Sequence, residues 1–442
     1  MLRALRASTY SKIAFIGAGG KTTALFHLAK ALSKNSPVIV TVSSHLGIWQ
    51  VPLADQHLII DITGRIDDLE SKLQGVTLIT GAINGDRTKP LDEDTLKWLN
   101  QFCSKHTIPL LVEADGSRQK PLKAWAEHEP PIPTFVEQVV EVAGLSGISK
   151  PLNEEFVHRA ETFSQLSGLR IGKTITPEAV IRVLAHPEGG QKNISPDARK
   201  TILLNQADTY ELQSIAHGMV SPLLSSFHSV VISSLAQEKI FAVHERVAGI
   251  ILAAGESTRF GKPKQLLDWK GEPFVRAVAR TALEAGLSPV VVITGANSEQ
   301  VESVVKNLDV IVVRNDDWKN GQSSSIKTGI NKLISSNSEV GSAIFLLADQ
   351  PQITTSILPA LIEKHAEGLH PIVAPLVLDQ RANPVLFDRV TFPDLLSIEG
   401  DVGGRAIFHK HQVEYLPWHD DRMLLDVDTP EHYQRLISDE TL

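Results

Sequence analysis

The C-terminal half of the sequence contains a glycine loop with basic residues directly after an apolar run. It reads IILAAGESTRFGKPKQLL from position 250. The small residues Ala253, Ala254 and Gly255 let the main chain approach a base or a phosphate closely. Arg259 and Lys264 can neutralise the charge of a triphosphate tail. A glycine turn with two solvated basic side chains is the alternative, but this spacing directly after a strand favours a phosphate-binding loop.

Two acidic motifs follow this loop. Asp349 ends an apolar run in the sequence LLADQP. Carboxylates at strand ends lie where α/β sheets bind ligands, and Mg²⁺ prefers one or two carboxylates with phosphate oxygens and water. Asp349 is therefore a candidate magnesium ligand, with capping of a helix that begins near Thr354 as the alternative. In LDVDTP, Asp426 and Asp428 alternate on a strand-like segment and face the same side. Asp428 is the preferred second ligand, and a strand end with a turn is the alternative.

The N-terminal half opens with a related pattern, IAFIGAGGKTT from position 13. A strand leads into Gly17, Gly19 and Gly20, and an amphipathic helix follows. Amides at a helix N-terminus with Lys21 would hold phosphates, and Thr22 would hold magnesium. A phenylalanine stands where the standard P-loop pattern has its first glycine, so the loop would have a different shape. We favour binding of a nucleoside triphosphate over a structural glycine turn.

Further motifs in this half suit a nucleotide site less specifically. The run LLVEADG ends in acids, of which Asp115 is the first candidate for a magnesium-associated aspartate and Glu113 the second. The sequence NQAD from Asn205 resembles the guanine-reading Asn-Lys-x-Asp pattern without its lysine, and a plain strand-to-helix turn explains it equally well. His158 and Arg159 can bind an anion, but the glutamates around them favour a solvated helical face.

Short apolar runs alternate with helical patterns through most of the chain, which predicts βα units around a mainly parallel sheet and an α/β fold. A mixed segment from 234 to 246 divides the halves, and we predict doubly wound, three-layer domains at residues 1–235 and 247–442. Helices are predicted between the strands, for example at 22–33 and 274–285. The predicted strands are Ile13–Ile16, Val38–Val42, His57–Ile60, Thr77–Thr80, Pro109–Glu113, Thr201–Asn205, Val230–Ser233, Val247–Ala253, Val290–Thr294, Val310–Val313, Ala343–Leu347 and Ile372–Ala374.

Composition narrows the class of protein. The 442 residues carry 43 Lys and Arg against 51 Asp and Glu, a formal charge of −8, which gives no support for a nucleic-acid-binding surface. The single cysteine excludes an internal disulfide and a cysteine-rich metal cluster. The N-terminus lacks the apolar stretch of a signal peptide, and no run of about 18 apolar residues exists. We therefore expect a cytoplasmic protein without a membrane span.

In this order, the C-terminal motifs resemble the MobA-like nucleotidyltransferase family over nearly all of residues 247–442. The resemblance implies a Rossmann-like nucleotide-diphospho-sugar transferase fold, with a glycine loop from Leu252 to Gly255 that holds the nucleotide. It also implies phosphate contacts from Arg259 and Lys264 and a magnesium ion on Asp349 and Asp428. Further matching pieces are GQSSS, which contains Ser324 as a candidate nucleotide-binding residue, then NPVLF and GDVGGR. The family often has a glycine in place of the asparagine that opens NPVLF.

The loop residues Leu252-Ala253-Ala254-Gly255 are similar to the molybdenum cofactor cytidylyltransferase branch, whereas the guanylyl-transferring branch more typically has Leu-Ala-Gly-Gly. The methyl group of Ala254 would crowd the loop beside a base, which favours the smaller pyrimidine. One methyl group supplies about 1–3 kcal/mol of discrimination at best.

The N-terminal motifs resemble the YqeC-like family, named as selenium-dependent hydroxylase accessory proteins, over residues 11–233. The set comprises GAGGKTT, VEADGSR with the following PLK, EHEPPIP and VHR. The resemblance implies an accessory domain associated with the maturation of molybdenum hydroxylases. The glycine loop of this half adds the prediction of a P-loop-type, NTP-binding site.

Together the halves predict magnesium-dependent transfer of a cytidylyl group from CTP, or of another nucleotide, to a molybdopterin-type cofactor. The cofactor phosphate would attack the nucleotide α-phosphorus and release pyrophosphate. A molybdenum hydroxylase apoenzyme is a candidate partner, and neither nucleic acid nor a membrane is expected. The alternatives are transfer to a sugar phosphate or other phosphorylated metabolite, and a non-catalytic carrier that inserts the cofactor. Paired magnesium carboxylates favour catalysis, because a carrier would not need them.

Overall fold

A computed structural model describes the chain except residues 61–65, 67, 257–259, 261, 337 and 439–442. The chain divides into two compact units, Met1–His244 and Glu245–Leu442. Within the residues described, no helix combines the length and the apolar character needed to cross a membrane.

Unit 1 is built from strands and helices that alternate for most of its length. In chain order they are β1 (Lys12–Gly17), α1 (Lys21–Leu32), β2 (Val38–Val42), β3 (Gln56–Ile59), α2 (Leu69–Lys72), β4 (Val76–Thr80), β5 (Ile83–Asn84), β6 (Arg87–Thr88), α3 (Glu93–His106), β7 (Leu110–Glu113), β8 (Leu122–Lys123), β9 (Gln138–Gly144), β10 (Val157–His158), α4 (Ala160–Ser167), α5 (Pro177–Ala185), β11 (Arg199–Asn205), α6 (Tyr210–Leu224) and β12 (Ser229–Ser234).

The main sheet of unit 1 has the strand order β12-β11-β9-β1-β7-β2-β4-β3, and the pairings along it are parallel. Its central strands, such as Val38–Val42, are buried along their whole length, which explains their unbroken β-branched composition. In the register, Phe15 lies between Glu113 of β7 and Val140 of β9. The loop after β1 therefore lies beside the carboxyl ends of both neighbouring strands.

Strand β9 occupies a central place in the sheet and is absent from the strands predicted above. It pairs with β1 on one side and β11 on the other. Glu141 interrupts its apolar run QVVEVAG, so the sequence pattern resembles a surface segment. In the structure every residue of β9 is buried, including Glu141.

Unit 2 begins within a long strand that crosses the boundary between the units, β13 (Lys239–Ala253). The elements that follow are β14 (Asp268–Trp269), β15 (Glu272–Pro273), α7 (Phe274–Glu284), β16 (Val290–Thr294), α8 (Ser298–Val305), β17 (Ile311–Arg314), α9 (Gln322–Ser335), β18 (Val340–Leu347), α10 (Ile357–Gly368), β19 (Ile372–Val377), β20 (Gln380–Arg381), β21 (Val385–Asp388), α11 (Phe392–Ser397), β22 (Val413–Pro417) and α12 (Pro430–Ser438).

The sheet of unit 2 has the order β17-β16-β13-β18-β21-β19-β22. The pairings from β17 to β18 are parallel, β21 runs antiparallel to β18 and β19, and β22 is parallel to β19. The prediction of an α/β fold around a mainly parallel sheet is confirmed, and each predicted strand overlaps an observed one. Of the strands in this sheet, β20, β21 and β22 were not predicted.

Candidate functional site

A cavity of about 830 Å³ opens at the carboxyl ends of β13 and β18 in unit 2. These strands are parallel neighbours, and Leu252 pairs with Leu347, so the loops after both strands emerge side by side. Such an edge is where α/β sheets bind ligands. The predicted loop residues that line this cavity are Leu252, Ala253, Ala254, Gly255, Lys264 and Asp349.

Lys264 connects the two carboxylates that the sequence singles out. Its Nζ atom lies 2.6 Å from Oδ1 of Asp428 and 3.7 Å from Oδ2 of Asp349. The lysine side chain is 13% exposed, whereas those of Asp349 and Asp428 are 38% and 51% exposed. The structure thus brings together three predicted site residues from distant parts of unit 2, with both carboxylates accessible to a ligand.

The segment that carries Asp428 is held by the two glutamines of the DQPQ sequence. The side-chain amide of Gln350 donates to Oδ1 of Asp426 at 2.8 Å, and that of Gln352 donates to the Leu425 carbonyl at 2.8 Å. Val427 is fully buried in a small apolar cluster. These contacts fix a segment that contains no regular secondary structure.

The predicted strand-like geometry around Asp426 and Asp428 is wrong. The backbone amide of Asp428 donates to the carbonyl of Asp426 at 3.1 Å, which is a tight turn. The two side chains therefore have different partners: Asp426 accepts a bond from Gln350, and Asp428 lies against Lys264. Val427, between the two acids, is fully buried.

Burial raises the pKa of Asp349 above its usual range, and the nearby Lys264 ammonium only partly opposes this effect. Asp426 and Asp428 add to the rise because they are like charges. The alternative role of Asp349 as a helix cap does not hold, since α10 begins at Ile357 with Ser356 as its N-cap. A cation between these carboxylates would relieve their mutual repulsion.

Ser324 is not among the residues that line this cavity and lines a neighbouring pocket instead, so its role as a nucleotide-binding residue stays a prediction. Its hydroxyl donates to the Gly321 carbonyl at 2.8 Å and accepts from the Asn315 amide at 2.8 Å. The next residue, Ser325, lines the cavity instead. The position of each serine around the axis of α9 decides which one faces this cavity. The GQSSS sequence alone does not show which serine that is.

Residues that sequence reasoning did not select also line the cavity. They include Trp318, Gln322 and Asp401. A side chain at Gly321, where φ is +93°, would collide with the backbone of Asp401, so the GQSSS and GDVGGR sequences meet here through a glycine contact. The resemblance of both sequences to the MobA-like family was the signal in the sequence that could have identified these lining residues. Arg259, the other predicted phosphate-binding residue, lies outside the described residues.

In unit 1 the predicted glycine loop connects β1 to α1. Gly17, Gly19 and Gly20 have φ values of +94°, +79° and +116°, which only glycine adopts without strain. The Gly17 amide donates to the Asp115 carboxylate at 3.1 Å, that of Ala18 to a β9 carbonyl at 2.7 Å, and that of Gly19 to the Lys120 carbonyl at 3.0 Å. Because these amides are used internally, a phosphate at this loop would meet the first-turn amides of α1.

The loop places Lys21 against the two acids predicted beside it. Its Nζ atom lies 2.6 Å from Oδ1 of Asp115 and 3.6 Å from Oε1 of Glu113, and the ammonium also donates to the Asp115 carbonyl. The hydroxyl of Thr22 donates to Glu113 at 2.8 Å. Lys21, Thr22, Glu113 and Asp115 therefore converge as the sequence analysis expects, within a largely buried ionic network.

Burial opposes ionisation of both acids, with different outcomes. For Asp115 the ammonium groups of Lys21 and Lys123 outweigh burial and lower its pKa. For Glu113 burial prevails over Lys21 and Thr22 and raises its pKa. The site thus combines one firmly ionised carboxylate with one that binds a proton more readily.

Lys123, Trp125 and Glu129, which were not selected from the sequence, extend this network. Lys123 and the Trp125 indole each donate to Oδ2 of Asp115 at 2.9 Å. Lys123 also lies 3.3 Å from Glu129, which forms a two-point ion pair with Arg159 at 2.6 and 2.9 Å. Arg159 is therefore committed to Glu129, rather than exposed on a solvated helical face.

The adjacent His158 is half-buried, and burial together with the neighbouring cations lowers its pKa to about 4. Asn205 has a structural role: its amide donates to the Gly19 carbonyl at 2.8 Å, and its oxygen accepts from the Leu235 amide at 3.0 Å. These bonds favour the plain structural interpretation of the NQAD sequence over guanine recognition.

Two family profiles match the chain. The profile described as YqeC protein matches residues 13–161, and that described as MobA-like NTP transferase domain matches residues 249–415. The uncharacterized protein YqeC of Escherichia coli (strain K12) is 28% identical over 216 residues, which cover 48% of this chain and 82% of that protein. The nicotine blue oxidoreductase of Paenarthrobacter nicotinovorans is 30% identical over 200 residues, which cover 43% and 96%. A probable molybdenum cofactor guanylyltransferase of Bacillus mycoides (strain KBAB4) is 28% identical over 142 residues, which cover 32% and 66%.

Proposed function

Because the chain belongs to the MobA-like NTP transferase family through unit 2 and carries a YqeC domain in unit 1, we propose that this nucleotidyltransferase transfers the cytidylyl group of CTP to molybdenum cofactor. The relative named for molybdenum cofactor guanylyl transfer supports an acceptor of this class. The proposed physiological role is the maturation of molybdenum hydroxylases, with a hydroxylase apoenzyme as the recipient of the product.

The observation that carries the proposal is the pair of carboxylates on Lys264, at the mouth of the cavity that the glycine loop lines. Asp349 and Asp428 lie within 3.7 Å of one cationic atom, so their positions already suit a single positive charge. Two convergent, partly exposed carboxylates form a donor set that fits magnesium. Asp349 and Asp428 would hold the ion, and when bound it neutralises negative charge on the nucleotide phosphates.

The residues of the chain supply binding and orientation. The backbone from Leu252 to Gly255 approaches the nucleotide, and Lys264, released from its carboxylates, contacts the phosphates together with Arg259. An oxygen of the cofactor phosphate attacks the α-phosphorus of CTP. A phosphoanhydride bond forms there as the bond to the leaving pyrophosphate breaks. Such a transfer needs positioning and charge neutralisation more than a nucleophilic side chain.

The preference for CTP rests on the close packing around Ala254. This residue is 7% exposed and lines the cavity. A Cβ atom added at Gly295 would lie 2.9 Å from the Cβ atoms of both Ala254 and Trp318, so three backbone segments meet at this wall. The methyl group of Ala254 narrows the space beside the base, which favours a pyrimidine over a purine.

For unit 1 the proposal is a P-loop-type site that binds a nucleoside triphosphate and serves the transferase as an accessory module. Lys21 would move from Asp115 to the phosphates, and Thr22 and Asp115 would hold magnesium. The convergence of these side chains at the N-terminus of α1 supports the proposal, since this end of a helix attracts anions.

The test is incubation of the full chain with magnesium, molybdenum cofactor and CTP, GTP or ATP in separate reactions, followed by product mass. A cytidine dinucleotide of the cofactor is the expected product, and the Asp349→Asn variant should form little of it. If product forms only when a sugar phosphate replaces the cofactor in a parallel reaction, the activity is nucleotidyl transfer to a sugar phosphate and the proposal is overturned. Tight cofactor binding without any product would assign a carrier and overturn the proposal.

A further inference from the structure

Glu141, in the central strand β9, differs from the other buried acids of unit 1. It is fully buried, and within the part of the chain that the structure describes both of its carboxyl oxygens lack a hydrogen-bond partner. Glu113 and Asp115, by contrast, are paired with cations. An unpartnered buried carboxyl group destabilises the fold, and an apolar side chain of similar size would suit a purely structural position better.

The charged groups nearest to Glu141 do not satisfy it. Lys123 lies close enough to affect its ionisation, as does Asp115. The three donors of the Lys123 ammonium are directed to Asp115, to the Gly116 carbonyl and to Glu129. Glu141 lines a small space beside these groups and makes no hydrogen bond to a described residue.

That space is a small void behind the glycine loop. It is bounded by apolar side chains that include the rings of Trp125 and Phe163, by Val183 of α5, and by Gly17 of the loop. Its volume of about 10 Å³ is room for about one water molecule. Lys123 also lines the void, which therefore brings two aromatic rings, one acid and one cation together.

The segment from 186 to 192, which follows α5, covers Glu141, and Gly190 is the residue that packs against its carboxyl group. A Cβ atom at Gly190 would collide with both carboxyl oxygens of Glu141 and with the Leu184 carbonyl. A Cβ atom at Gly189 would collide with the Val183 carbonyl. The segment is held by bonds from Lys192 to the Ala126 carbonyl at 3.3 Å, from the Gln191 amide to the Leu184 carbonyl at 3.2 Å and from Lys200 to Gln191 at 3.0 Å. Because the void has room for about one water molecule, a ligand with a ring would reach the acid only if this segment moved.

We propose that Glu141 recognises a planar heterocycle that presents two adjacent N–H donors, the 2-amino-4-oxopyrimidine edge that guanine and pterins share. The two oxygens of a carboxylate match two parallel N–H groups, which is the geometry of the strongest charge-assisted pairs. Trp125 and Phe163 offer apolar faces to the ring. If the ligand is a pterin, this inference rests on the proposed function and gives unit 1 a role in holding the acceptor.

The raised pKa of Glu141 gives the proposal a second measurable consequence, which is the release of protons when the ligand binds. Burial, with a contribution from Asp115, raises the pKa of its carboxyl group well above the usual range, so the group binds a proton more readily than an exposed glutamate does. Two N–H donors stabilise the ionised form. Binding of the ligand should therefore release protons, which calorimetry in buffers of different ionisation enthalpy measures.

The experiment is calorimetric titration of the full chain with pterin-6-carboxylate, with GMP and with CMP. Pterin-6-carboxylate or GMP should bind, and the Glu141→Gln variant should bind it about tenfold or more weakly, because one good two-point pair contributes roughly this much discrimination. CMP should show no dependence on Glu141, since the cytosine edge does not present two adjacent donors. The control is Glu137→Gln, one residue before β9, whose side chain is 65% exposed; it should bind like the unchanged chain.

Dependence on Glu141 with the pterin alone would identify the ligand as a pterin, and dependence with GMP alone as a guanine nucleotide; both support the site. Equal affinity in the Glu141→Gln variant, or no binding of either probe, would overturn it. Circular dichroism of the variants, with Glu141→Leu as a second substitution, separates lost binding from lost folding. Cytidylyl transfer without Glu141-dependent binding would refute only this inference. Glu141-dependent binding without cytidylyl transfer would refute only the proposed function.

Discussion

The ammonium of Lys264 lies 2.6 Å from a carboxylate oxygen of Asp428, although 164 residues separate them in the chain. The same ammonium is 3.7 Å from Asp349. Lys264 and a divalent cation would therefore compete for the same two carboxylates. In the proposed reaction this competition couples metal binding to the release of Lys264 toward the phosphates.

Replacing Asp349 or Asp428 with asparagine should lower kcat/KM for CTP by about 100-fold, because each substitution removes one anionic ligand of the metal ion. A bound metal ion stabilises the transition state by several kcal/mol. The magnesium concentration needed for half-maximal rate should rise. Pyrophosphate release at a series of magnesium concentrations measures both effects. Asp309→Asn, at an exposed carboxylate of unit 2, is the control. Unchanged turnover of Asp349→Asn would remove Asp349 from the metal site.

The Lys264→Met variant should lose most of its transferase activity and yet bind a divalent cation more tightly in the absence of nucleotide. Exposed ion pairs contribute about 0.2–1 kcal/mol, so the gain in metal affinity should be at most about fivefold. Titration with Mn²⁺, followed by electron paramagnetic resonance, measures it. Weaker metal binding by this variant would contradict the competition between Lys264 and the ion.

The Ala254→Gly variant should shift nucleotide preference from CTP toward GTP. The methyl group at this crowded wall supplies about 1–3 kcal/mol of discrimination at best, which is a ratio of about 10 to 200. The ratio of kcat/KM for the two nucleotides is the measurement. The matched control is Ala253→Gly, which removes a methyl group from the same loop and should slow both nucleotides alike. An unaltered ratio in Ala254→Gly would assign base selection to other residues.

The Lys21→Met variant should destabilise unit 1 by about 3–5 kcal/mol, because it leaves the buried Glu113 without a cation and Asp115 with Lys123 alone. The Thr22→Val variant should retain the ion pair and lose magnesium-dependent binding of a nucleoside triphosphate. Urea denaturation and nucleotide titration measure the two effects. Lys30→Met, at an exposed lysine of α1, is the control. Undiminished nucleotide binding in Thr22→Val would argue against a P-loop-type site.

The Glu141→Leu variant should be more stable than the unchanged chain, and its advantage should grow as the pH rises. The folded state holds the Glu141 proton because burial raises the pKa above the ordinary value of 4.5, whereas the unfolded chain releases it. Stability is therefore lost as the pH rises above the unfolded value. Urea midpoints at pH 5 and pH 8 measure the trend. An equal difference at both pH values would show that Glu141 has no raised pKa.

Much of the fold follows from the sequence because buried parallel strands have unbroken β-branched runs. Val38–Val42 and Val290–Thr294 were predicted to the residue. Strand β9 was missed because Glu141 breaks its apolar run, and an acid at a buried position is informative only after its burial is known. One buried acid thus conceals the strand from a pattern that tracks hydrophobicity alone.

The sequence by itself determined which kinds of group the chain offers: glycine loops after strands, lysines beside them, and acids at strand ends. These follow from local spacing. The tertiary structure alone decided that Lys264 meets both Asp349 and Asp428 and that Ser325 lines the cavity. It also decided that Glu141 has no hydrogen-bond partner among the residues that the structure describes. Distance and burial depend on how remote segments pack, and no local pattern encodes them.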